Sequence, residues 1–166
     1  MKIVCKTFLY LYLSLWSDMS ISSSPDTPNT EEENCTNTEF TFACVEYLRN
    51  FDGDTFSVNL RGVHPFFGKN ILIRVSSIDT AEMSSKNACA KKAAVLAKNK
   101  TQDILSSAKR IDLLEIHRDK FFRVDARVIV DRKIDLGKVL LEEKLAYPYY
   151  GDTKPTINWC NIVSKK

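Results

Sequence analysis

A chain of 166 residues, 44% of them hydrophobic, is long enough to bury the core of one domain, and nothing in its composition suggests a second. The net charge of +3 is unevenly distributed. Residues 18–39 contain six acids and no lysine or arginine, so the part from residue 40 onward is more basic than the whole. A basic domain attracts polyanions such as nucleic acid, but this charge by itself excludes few functions.

The N-terminus has a basic start followed by an apolar run at residues 8–16. This run has the length of the apolar region of a signal peptide and is too short to span a bilayer. We therefore expect a signal peptide at residues 1–20 and a secreted or periplasmic protein that has no stable membrane association after cleavage. An uncleaved membrane anchor and a frayed hydrophobic N-terminus are the alternatives.

Residues 21–38 are polar and acidic and contain few large apolar side chains, which predicts a disordered linker ahead of one domain at residues 39–166. Cleavage of the signal peptide would leave four cysteines, which allows three disulfide pairings of Cys35, Cys44, Cys89 and Cys160. In an oxidising compartment we expect at least one disulfide. Because no two cysteines have the CxxC spacing, their pattern does not indicate a zinc site.

From residue 40 the chain consists of short runs rich in β-branched and aromatic residues. These runs predict five strands, at residues 40–48, 55–60, 70–78, 111–117 and 124–130. The polar turn Asp52-Gly53-Asp54 predicts a hairpin between the first two strands.

Between the third and fourth strands the apolar spacing becomes helical. From Ala90 to Ala108, small and apolar side chains recur at i, i+3, i+4 and i+7, and Ser84 or Ser85 is suited to cap the helix. A shorter helix is predicted from a cap at Asp135 to residue 145. Five strands with these two helices predict an α+β, mainly β, fold, a five-stranded OB-type Greek-key barrel. Such barrels commonly bind oligonucleotides, an argument from fold analogy alone.

Two carboxylates are predicted to meet at one end of this barrel. Asp54 follows the first turn, and Asp79 ends the third strand. The two acids would repel each other unless a cation lay between them. Hard oxygen ligands without cysteine or histidine suit calcium or magnesium, and the carbonyl of Thr80 could complete the oxygen shell.

Cationic side chains are predicted at the same place. Arg74 lies five residues before Asp79, so a shared site requires a bulge or turn between Ser76 and Asp79. Arg123 enters from the loop between the last two strands. Two arginines and a divalent cation can hold a phosphate and neutralise developing charge. Glu82 would then be the natural base for an attacking water.

Three motifs occur in order around the alanine-rich helix: FDGDT at residues 51–55, IRVSSIDTAE at 73–82 and DKFFRVDARVIV at 119–130. Together they resemble the thermonuclease family, the staphylococcal nuclease-like domains, over roughly residues 40–150. The resemblance implies a monomeric, calcium-dependent endonuclease that cuts DNA and RNA with little sequence preference and leaves 5′-hydroxyl and 3′-phosphate ends.

The resemblance also implies roles for individual residues. It implies a calcium site at Asp54, Asp79 and the Thr80 carbonyl, with magnesium as the alternative ion. It implies that the catalytic residues are Arg74, Glu82 and Arg123. Loss of any of these three is expected to lower the rate by orders of magnitude with little loss of fold.

Each candidate nucleic-acid contact has two interpretations. Tyr149 and Tyr150 are expected either to stack a base at the barrel rim, as the tyrosine of the family does, or to pack against the core. Lys120 is expected either to steer a phosphate or to be a simple exposed lysine.

The chain departs from the family pattern at two places. Ala81 stands where the family often has proline, and Phe121-Phe122 stands where it usually has Tyr-Gly, which removes a hydroxyl that could contact a phosphate. This change leaves open the alternative of a non-catalytic OB-fold module that binds nucleic acid or protein, although such a module has no need of the predicted metal site. The ending GDTKPTINWC resembles shorter bacterial members, and on that resemblance Cys160 pairs with Cys89.

Overall fold

The computed structural model describes residues 35–119 and 121–164 of the chain, and its fold is mixed α+β and mainly β. Its strands are β1 (Thr41–Phe42), β2 (Glu46–Asn50), β3 (Thr55–Asn59), β4 (Ile71–Val75), β5 (Ile78–Thr80), β6 (Ile111–Arg118), β7 (Val124–Val130), β8 (Ile134–Asp135) and β9 (Ala146–Pro148). Its helices are α1 (Pro65–Gly68), α2 (Ala88–Ser107), α3 (Leu136–Glu142) and α4 (Trp159–Val163). The expected signal peptide, the linker up to residue 34 and Lys120 lie outside the described residues.

Seven strands form one sheet in the order β1-β6-β7-β4-β3-β2, with β8 beside β7. Neighbouring strands are antiparallel, apart from the parallel pair of β4 and β7. Strands β5 and β9 form a separate two-stranded ribbon. The strand pairs of the described residues do not close the sheet into a barrel. However, its outermost strands β1 and β2 are consecutive in the chain, and between them the Val45 N–H donates to the Ile111 carbonyl at 2.9 Å.

The predicted strands are found, but the first and third are each divided in two. The first is interrupted around Cys44, whose backbone has φ +53° and whose N–H donates to Asp112 Oδ1 instead of to a strand partner. The third is divided by a turn at Ser76-Ser77, in which Ser77 has φ +63°. The expected break between Ser76 and Asp79 is therefore confirmed. The hairpin predicted between the first two strands is confirmed by the antiparallel pairing of β2 and β3.

The long helix is confirmed as α2, but its predicted cap is wrong. Asn87, rather than Ser84 or Ser85, caps it, and its Oδ1 accepts the N–H of Ala90 at 3.0 Å. Ser85 Oγ instead accepts the N–H of Asn87, which places the serine outside the helix. Within residues 35–119 and 121–164, no helix has both the length and the apolar character that a membrane crossing requires.

The second predicted helix is confirmed as α3, with Asp135 as its cap; Asp135 Oδ1 accepts the N–H of Lys138 at 3.1 Å. It ends at Glu142, earlier than expected. Lys144 has φ +58°, and the Leu145 N–H donates to the Leu140 carbonyl at 2.8 Å. A residue in the left-handed conformation with a six-to-one hydrogen bond is a common helix stop.

The core lies between the sheet and helices α2 and α3, and α2 contacts the sheet through a stripe of small side chains. A Cβ at Gly53 would lie 2.6 Å from the Cβ of Ala97, so only glycine lets the turn before β3 approach the helix this closely. Thr101 Oγ1 also donates to the Gly53 carbonyl at 2.6 Å. Helix α2 therefore fixes the turn that carries Asp52 and Asp54.

Two disulfides are present in the described residues, Cys35–Cys44 and Cys89–Cys160. The second is the pair implied by the family resemblance, and it is confirmed. It ties α4 to the first turn of α2, where Val163 packs against the alanines of the long helix. The chain from Tyr149 to α4 is thereby anchored at its far end.

Replacing Cys89 and Cys160 together by alanine should lower the free energy of unfolding by about 2–4 kcal/mol, because this disulfide joins residues 71 positions apart and so restricts the unfolded chain. The matched control replaces Cys35 and Cys44, which are only 9 positions apart. Its loss should be smaller by roughly 1–2 kcal/mol. Urea denaturation under non-reducing conditions measures both; an equal or larger loss in the control would contradict the prediction.

Candidate active site

An open cleft of about 890 Å³ lies at the end of the sheet where β3 begins and β4 ends. Four parts of the chain line it: the turn before β3, the β4–β5 region, the loop between β6 and β7, and residues 149–154. The cleft brings together the sequence-predicted residues Asp54, Arg74, Asp79, Thr80, Glu82, Arg123, Tyr149 and Tyr150. Of the predicted site residues, Lys120 lies outside the described part of the chain.

Strand pairing accounts for this convergence. Thr55 pairs directly with Arg74 across β3 and β4, so Asp54, one residue earlier, lies at the end of the pair. The Ser76-Ser77 turn then redirects the chain into β5, which pairs with β9 and is buried along its whole length. As a result, Asp79 faces the same guanidinium as Asp54 although Arg74 is five residues away.

Arg74 is the centre of the site. Its Nη1 lies 3.0 Å from Asp54 Oδ2, and its Nη2 lies 3.0 Å from Asp79 Oδ1 and donates to the Ile78 carbonyl at 2.8 Å. Burial alone would lower the pKa of Arg74, but the two carboxylates outweigh burial and raise the pKa above its ordinary value. A single arginine thus bridges the two acids that were predicted to require a cation between them.

The two acids are buried, and each of their oxygens has at least one partner. Asp54 is 4% exposed; its Oδ1 accepts the Thr55 hydroxyl at 3.0 Å, and its Oδ2 accepts the Thr80 N–H at 2.9 Å. Asp79 is 5% exposed, and its Oδ2 accepts the Tyr147 hydroxyl at 2.5 Å. Buried charges require such partners, because an unpaired carboxylate in the interior costs several kcal/mol.

Asp52 adds a third acid beside this pair. Its Oδ1 accepts the N–H of Asp54 at 3.0 Å, which is the turn role predicted for it. Burial, together with repulsion from Asp54, raises the pKa of Asp52 to about 6. A positive charge placed beside Asp52 and Asp54 would relieve the repulsion between them.

A lysine that the sequence analysis did not single out lies between two predicted site residues. Lys154 Nζ is 2.8 Å from Asp79 Oδ2 and 2.9 Å from Glu82 Oε1. Burial alone would lower the pKa of Lys154, but these two carboxylates raise it. A cation therefore fits between Asp79 and Glu82 in the cleft. Glu82 itself is 63% exposed at its side chain and reaches into the cleft.

Arg123 is held at the opposite wall of the cleft. Its Nε donates to Asp119 Oδ2 at 2.7 Å, and its Nη1 lies 3.5 Å from the Thr55 hydroxyl. Asp119 Oδ1 also accepts the backbone N–H of Arg123 at 2.9 Å, which closes the loop on itself. Phe122 has φ +63°, a left-handed conformation that glycine adopts without strain, so the second phenylalanine of this loop carries a backbone cost.

The two tyrosines differ in their surroundings. Tyr149 is half-buried, with its ring centre 6.0 Å from Arg74 Cζ and 5.8 Å from Lys154 Nζ. Tyr150 is 77% exposed at the edge of the cleft and precedes Gly151, whose φ is +96°. Tyr150 therefore does not pack in the core, whereas Tyr149 contacts the charged groups of the site.

Sequence reasoning missed Lys154, Asp119 and Asp125, which line this cleft, and Tyr147, whose hydroxyl donates to Asp79. Asp119 and Asp125 stand inside the third motif, so their proximity to Arg123 was a usable signal. Lys154 lies in an irregular segment without periodicity, and Tyr147 reaches Asp79 only through the β5–β9 pairing. Nothing local in the sequence indicates either contact.

Acids outnumber bases in the described part of the cleft wall. Six carboxylates and three cationic side chains line it: Asp52, Asp54, Asp79, Glu82, Asp119 and Asp125 against Arg74, Arg123 and Lys154. Among the described residues, no group of three or more histidine, cysteine or acidic side chains is arranged to hold a metal ion by itself. No protein-family model matches the chain, and no curated protein matches it.

Proposed function

We propose that this protein is a calcium-dependent endonuclease of the thermonuclease type. It hydrolyses phosphodiester bonds of DNA and RNA with little sequence preference and leaves 5′-hydroxyl and 3′-phosphate ends. The observation that carries the proposal is the convergence of six motif residues from three separate segments in one cleft: Asp54, Arg74, Asp79, Thr80, Glu82 and Arg123. A module that only binds nucleic acid has no need of this combination of acids, arginines and carbonyl.

We propose in addition that the sheet belongs to an OB-type barrel. The support is that the two ends of the sheet, β1 and β2, are parts of one nearly continuous segment. The hydrogen bond from Val45 to the Ile111 carbonyl extends the contact of this segment with β6 past the end of β1. The long helix α2 lies between the third predicted strand and the fourth, as the barrel order requires.

The donor set of the cleft suits a hard cation such as calcium, with magnesium as the alternative. Asp54 and Asp79 offer carboxylate oxygens, and Thr80 offers its backbone carbonyl. The excess of acids in the wall would repel a phosphodiester unless a cation were bound, and Lys154 already places a positive charge 2.8 Å from Asp79. When bound, the divalent ion supplies charge neutralisation at the phosphate.

The chain's own residues carry the chemistry at the phosphate. Glu82 accepts a proton from the water whose oxygen attacks phosphorus, and the bond to the 5′ oxygen breaks as that oxygen takes up a proton from solvent. Arg74 and Arg123 donate hydrogen bonds to the non-bridging oxygens as negative charge develops on them. Arg123 exchanges its contact with Thr55 for the phosphate, while Asp119 keeps its guanidinium oriented.

The two disulfides support the proposal that the protein works in an oxidising compartment, outside the cell or in a periplasm. Structural disulfides persist there and are rare in a cytosol. Intact-mass measurement of the protein recovered from such a compartment tests the accompanying proposal of signal cleavage near residue 20.

Incubation of the purified protein with single-stranded DNA and with RNA tests the proposed activity. We expect cleavage in calcium, none in excess chelator, and recovery when calcium is restored. The new 5′ ends should accept phosphate from a polynucleotide kinase without prior phosphatase treatment, because they carry hydroxyl groups. Lys92→Ala, on the exposed face of α2, is the control and should cleave like the wild type.

The alternative is a non-catalytic module that binds nucleic acid or protein. It is favoured by the exposed aromatic pair beside the cleft, in which Phe121 is 67% and Phe122 78% exposed. Tight binding without cleavage, unchanged by chelator, would establish this alternative and overturn the nuclease.

A further inference from the structure

An exposed pair of side chains, Arg49 and Phe51, lies on the sheet beside the cleft. Arg49 is exposed, Phe51 is 40% exposed, and Arg49 Cζ lies 4.9 Å from the centre of the Phe51 ring. A guanidinium held over an aromatic ring combines a positive charge with a flat apolar surface in one unit. Neither residue lines the cleft, so this unit is separate from the candidate active site.

Strand register places this pair on the same face of the sheet as Arg74. The alternate residues of β4 lie in the core, so Leu72 and Arg74 point to the opposite face of the strand. Leu72 pairs with Ser57 of β3, and Ser57 pairs with Arg49 of β2. Directly paired side chains share a face of the sheet, and so do residues two apart in a strand. Arg49 and Phe51 therefore lie two strands away from Leu72, which lines the cleft.

The same row of side chains continues on the other side of Leu72 to Arg123. Arg123 immediately precedes β7, and the first residue of β7 pairs with the residue after Leu72. Arg123 also has an aromatic neighbour, because its Cζ lies 5.5 Å from the centre of the Phe121 ring. The row that crosses β2, β3, β4 and the start of β7 thus has an arginine and a phenylalanine at each end.

This row differs from the cleft in its charge. Six carboxylates line the cleft, whereas the row consists of Arg49, Ser57, Leu72 and Arg123 and contains two positive charges and no acid. Ser57 is small and buried, so it lies at the floor between larger neighbours. A polyanion that leaves the cleft along this row meets less repulsion than it would along the acidic wall.

The length of the row fits a single strand of nucleic acid. Adjacent strands lie about 4.8 Å apart, so the three spacings from Arg49 to Arg123 amount to about 14 Å along the sheet. An extended single strand covers this distance in roughly two to three nucleotides, within the site of about 4–16 nucleotides that one OB fold contacts. The bases of a duplex are stacked on one another and cannot lie on the Phe51 ring without leaving the helix.

We propose that Arg49 and Phe51 form a second nucleotide subsite for single-stranded DNA or RNA, about two to three nucleotides away from the phosphate at Arg123. Arg49 binds a phosphate of the strand, and Phe51 stacks the neighbouring base. The proposal rests on the proposed function, because it requires a nucleic acid in the cleft. The cleft alone then sets the affinity for a dinucleotide, and the Arg49–Phe51 subsite adds to the affinity for a longer strand.

Calorimetric titration of the full-length Glu82→Gln variant with thymidine dinucleotide and hexanucleotide in calcium tests the subsite, because this variant should leave the probes intact. It should bind the hexanucleotide more tightly. Adding Phe51→Leu, which keeps apolar bulk but removes the ring, should weaken hexanucleotide binding about tenfold and leave dinucleotide binding unchanged. Phe51→Trp should retain the hexanucleotide affinity. Arg49→Gln should lower the slope of log affinity against log salt concentration by about 0.7, the loss of one phosphate contact.

Phe66→Leu and Arg61→Gln are the matched controls. Both residues are exposed and lie between β3 and β4 in the chain, outside the row, so both variants should bind the two probes like the Glu82→Gln parent. Equal affinity of the parent for the two probes would overturn the proposal. Equal weakening of both probes by Phe51→Leu, or the same loss of hexanucleotide binding in the controls, would also overturn it.

Two further measurements separate this subsite from other assignments. Weaker binding of Phe51→Leu to phosphatidylglycerol vesicles, with unchanged hexanucleotide affinity, would overturn the proposal and assign the pair to a membrane surface. Cleavage by the wild type without a length-dependent effect of Phe51→Leu rejects the subsite and leaves the nuclease standing. A length-dependent effect without any cleavage by the wild type supports the subsite and rejects the nuclease.

Discussion

Glu82→Gln is expected to lower the rate of phosphodiester cleavage by about 10²–10⁴-fold, the usual contribution of a positioned general base. The amide has the shape of the carboxylate but does not accept the proton of the attacking water. The Glu82 side chain is 63% exposed and contacts Lys154, whose side chain is 47% exposed, so the substitution should change the free energy of unfolding by less than about 0.5 kcal/mol. Single-turnover cleavage of single-stranded DNA in saturating calcium measures the rate, and urea denaturation measures the stability.

Arg123→Ala is the companion variant and should lower the same rate by about 10²–10³-fold, because it removes a donor to the charge that develops at phosphorus. Arg127→Ala is the matched control. Arg127 lies on β7, four residues after Arg123 but outside the cleft, where it contacts Asp135 and Glu115, and its side chain is 39% exposed. Wild-type rates in both Glu82→Gln and Arg123→Ala would contradict the assignment of the active site.

Arg74→Met is expected to lower the free energy of unfolding by about 3 kcal/mol in addition to abolishing activity, the lower end of the range for breaking a buried ion pair. The sequence alone predicted a loss of rate with little loss of fold. The structure changes that expectation, because Arg74 is the cation between two acids that are only 4% and 5% exposed, Asp54 and Asp79. Their remaining partners, Thr55, Thr80 N–H, Tyr147 and Lys154, keep the loss from being larger.

Combining Arg74→Met with Asp54→Asn and Asp79→Asn should recover most of this stability, since no buried charge is then left unpaired. Urea denaturation of Arg74→Met, of the double variant Asp54→Asn/Asp79→Asn and of the triple variant gives the coupling free energy. If Arg74→Met alone is as stable as the wild type, or if the triple variant recovers nothing, the three side chains do not form a buried charged cluster.

The candidate site illustrates which features can be predicted from local sequence. The β-prone runs at residues 55–60 and 70–78 predicted β3 and β4, and the turn before β3 predicted the hairpin of β2 and β3. Because β3 and β4 pair, Asp54 and Arg74 were bound to meet. The weak strand formers Ser76 and Ser77 marked the break that brings Asp79 to the same side, and the structure contains that turn.

Other parts of the site depend on contacts between distant segments. Asn87, rather than a serine, caps α2, and the Ser85 hydroxyl accepts the N–H of Asn87 before the helix begins. Lys154 reaches Asp79 and Glu82 from a segment that has no periodic pattern and is anchored by the β5–β9 pairing and the Cys89–Cys160 disulfide.

The sequence by itself therefore determined the order of the five predicted strands and two predicted helices, the hairpin, the helical alanine stripe and the identity of the acids and arginines at the sheet end. These follow from side-chain periodicity and turn chemistry, which act over a few residues. Only the tertiary structure decided which cation each acid binds and how deeply each charge is buried. Those properties depend on how segments far apart in the chain pack together, and local sequence patterns carry no information about this packing.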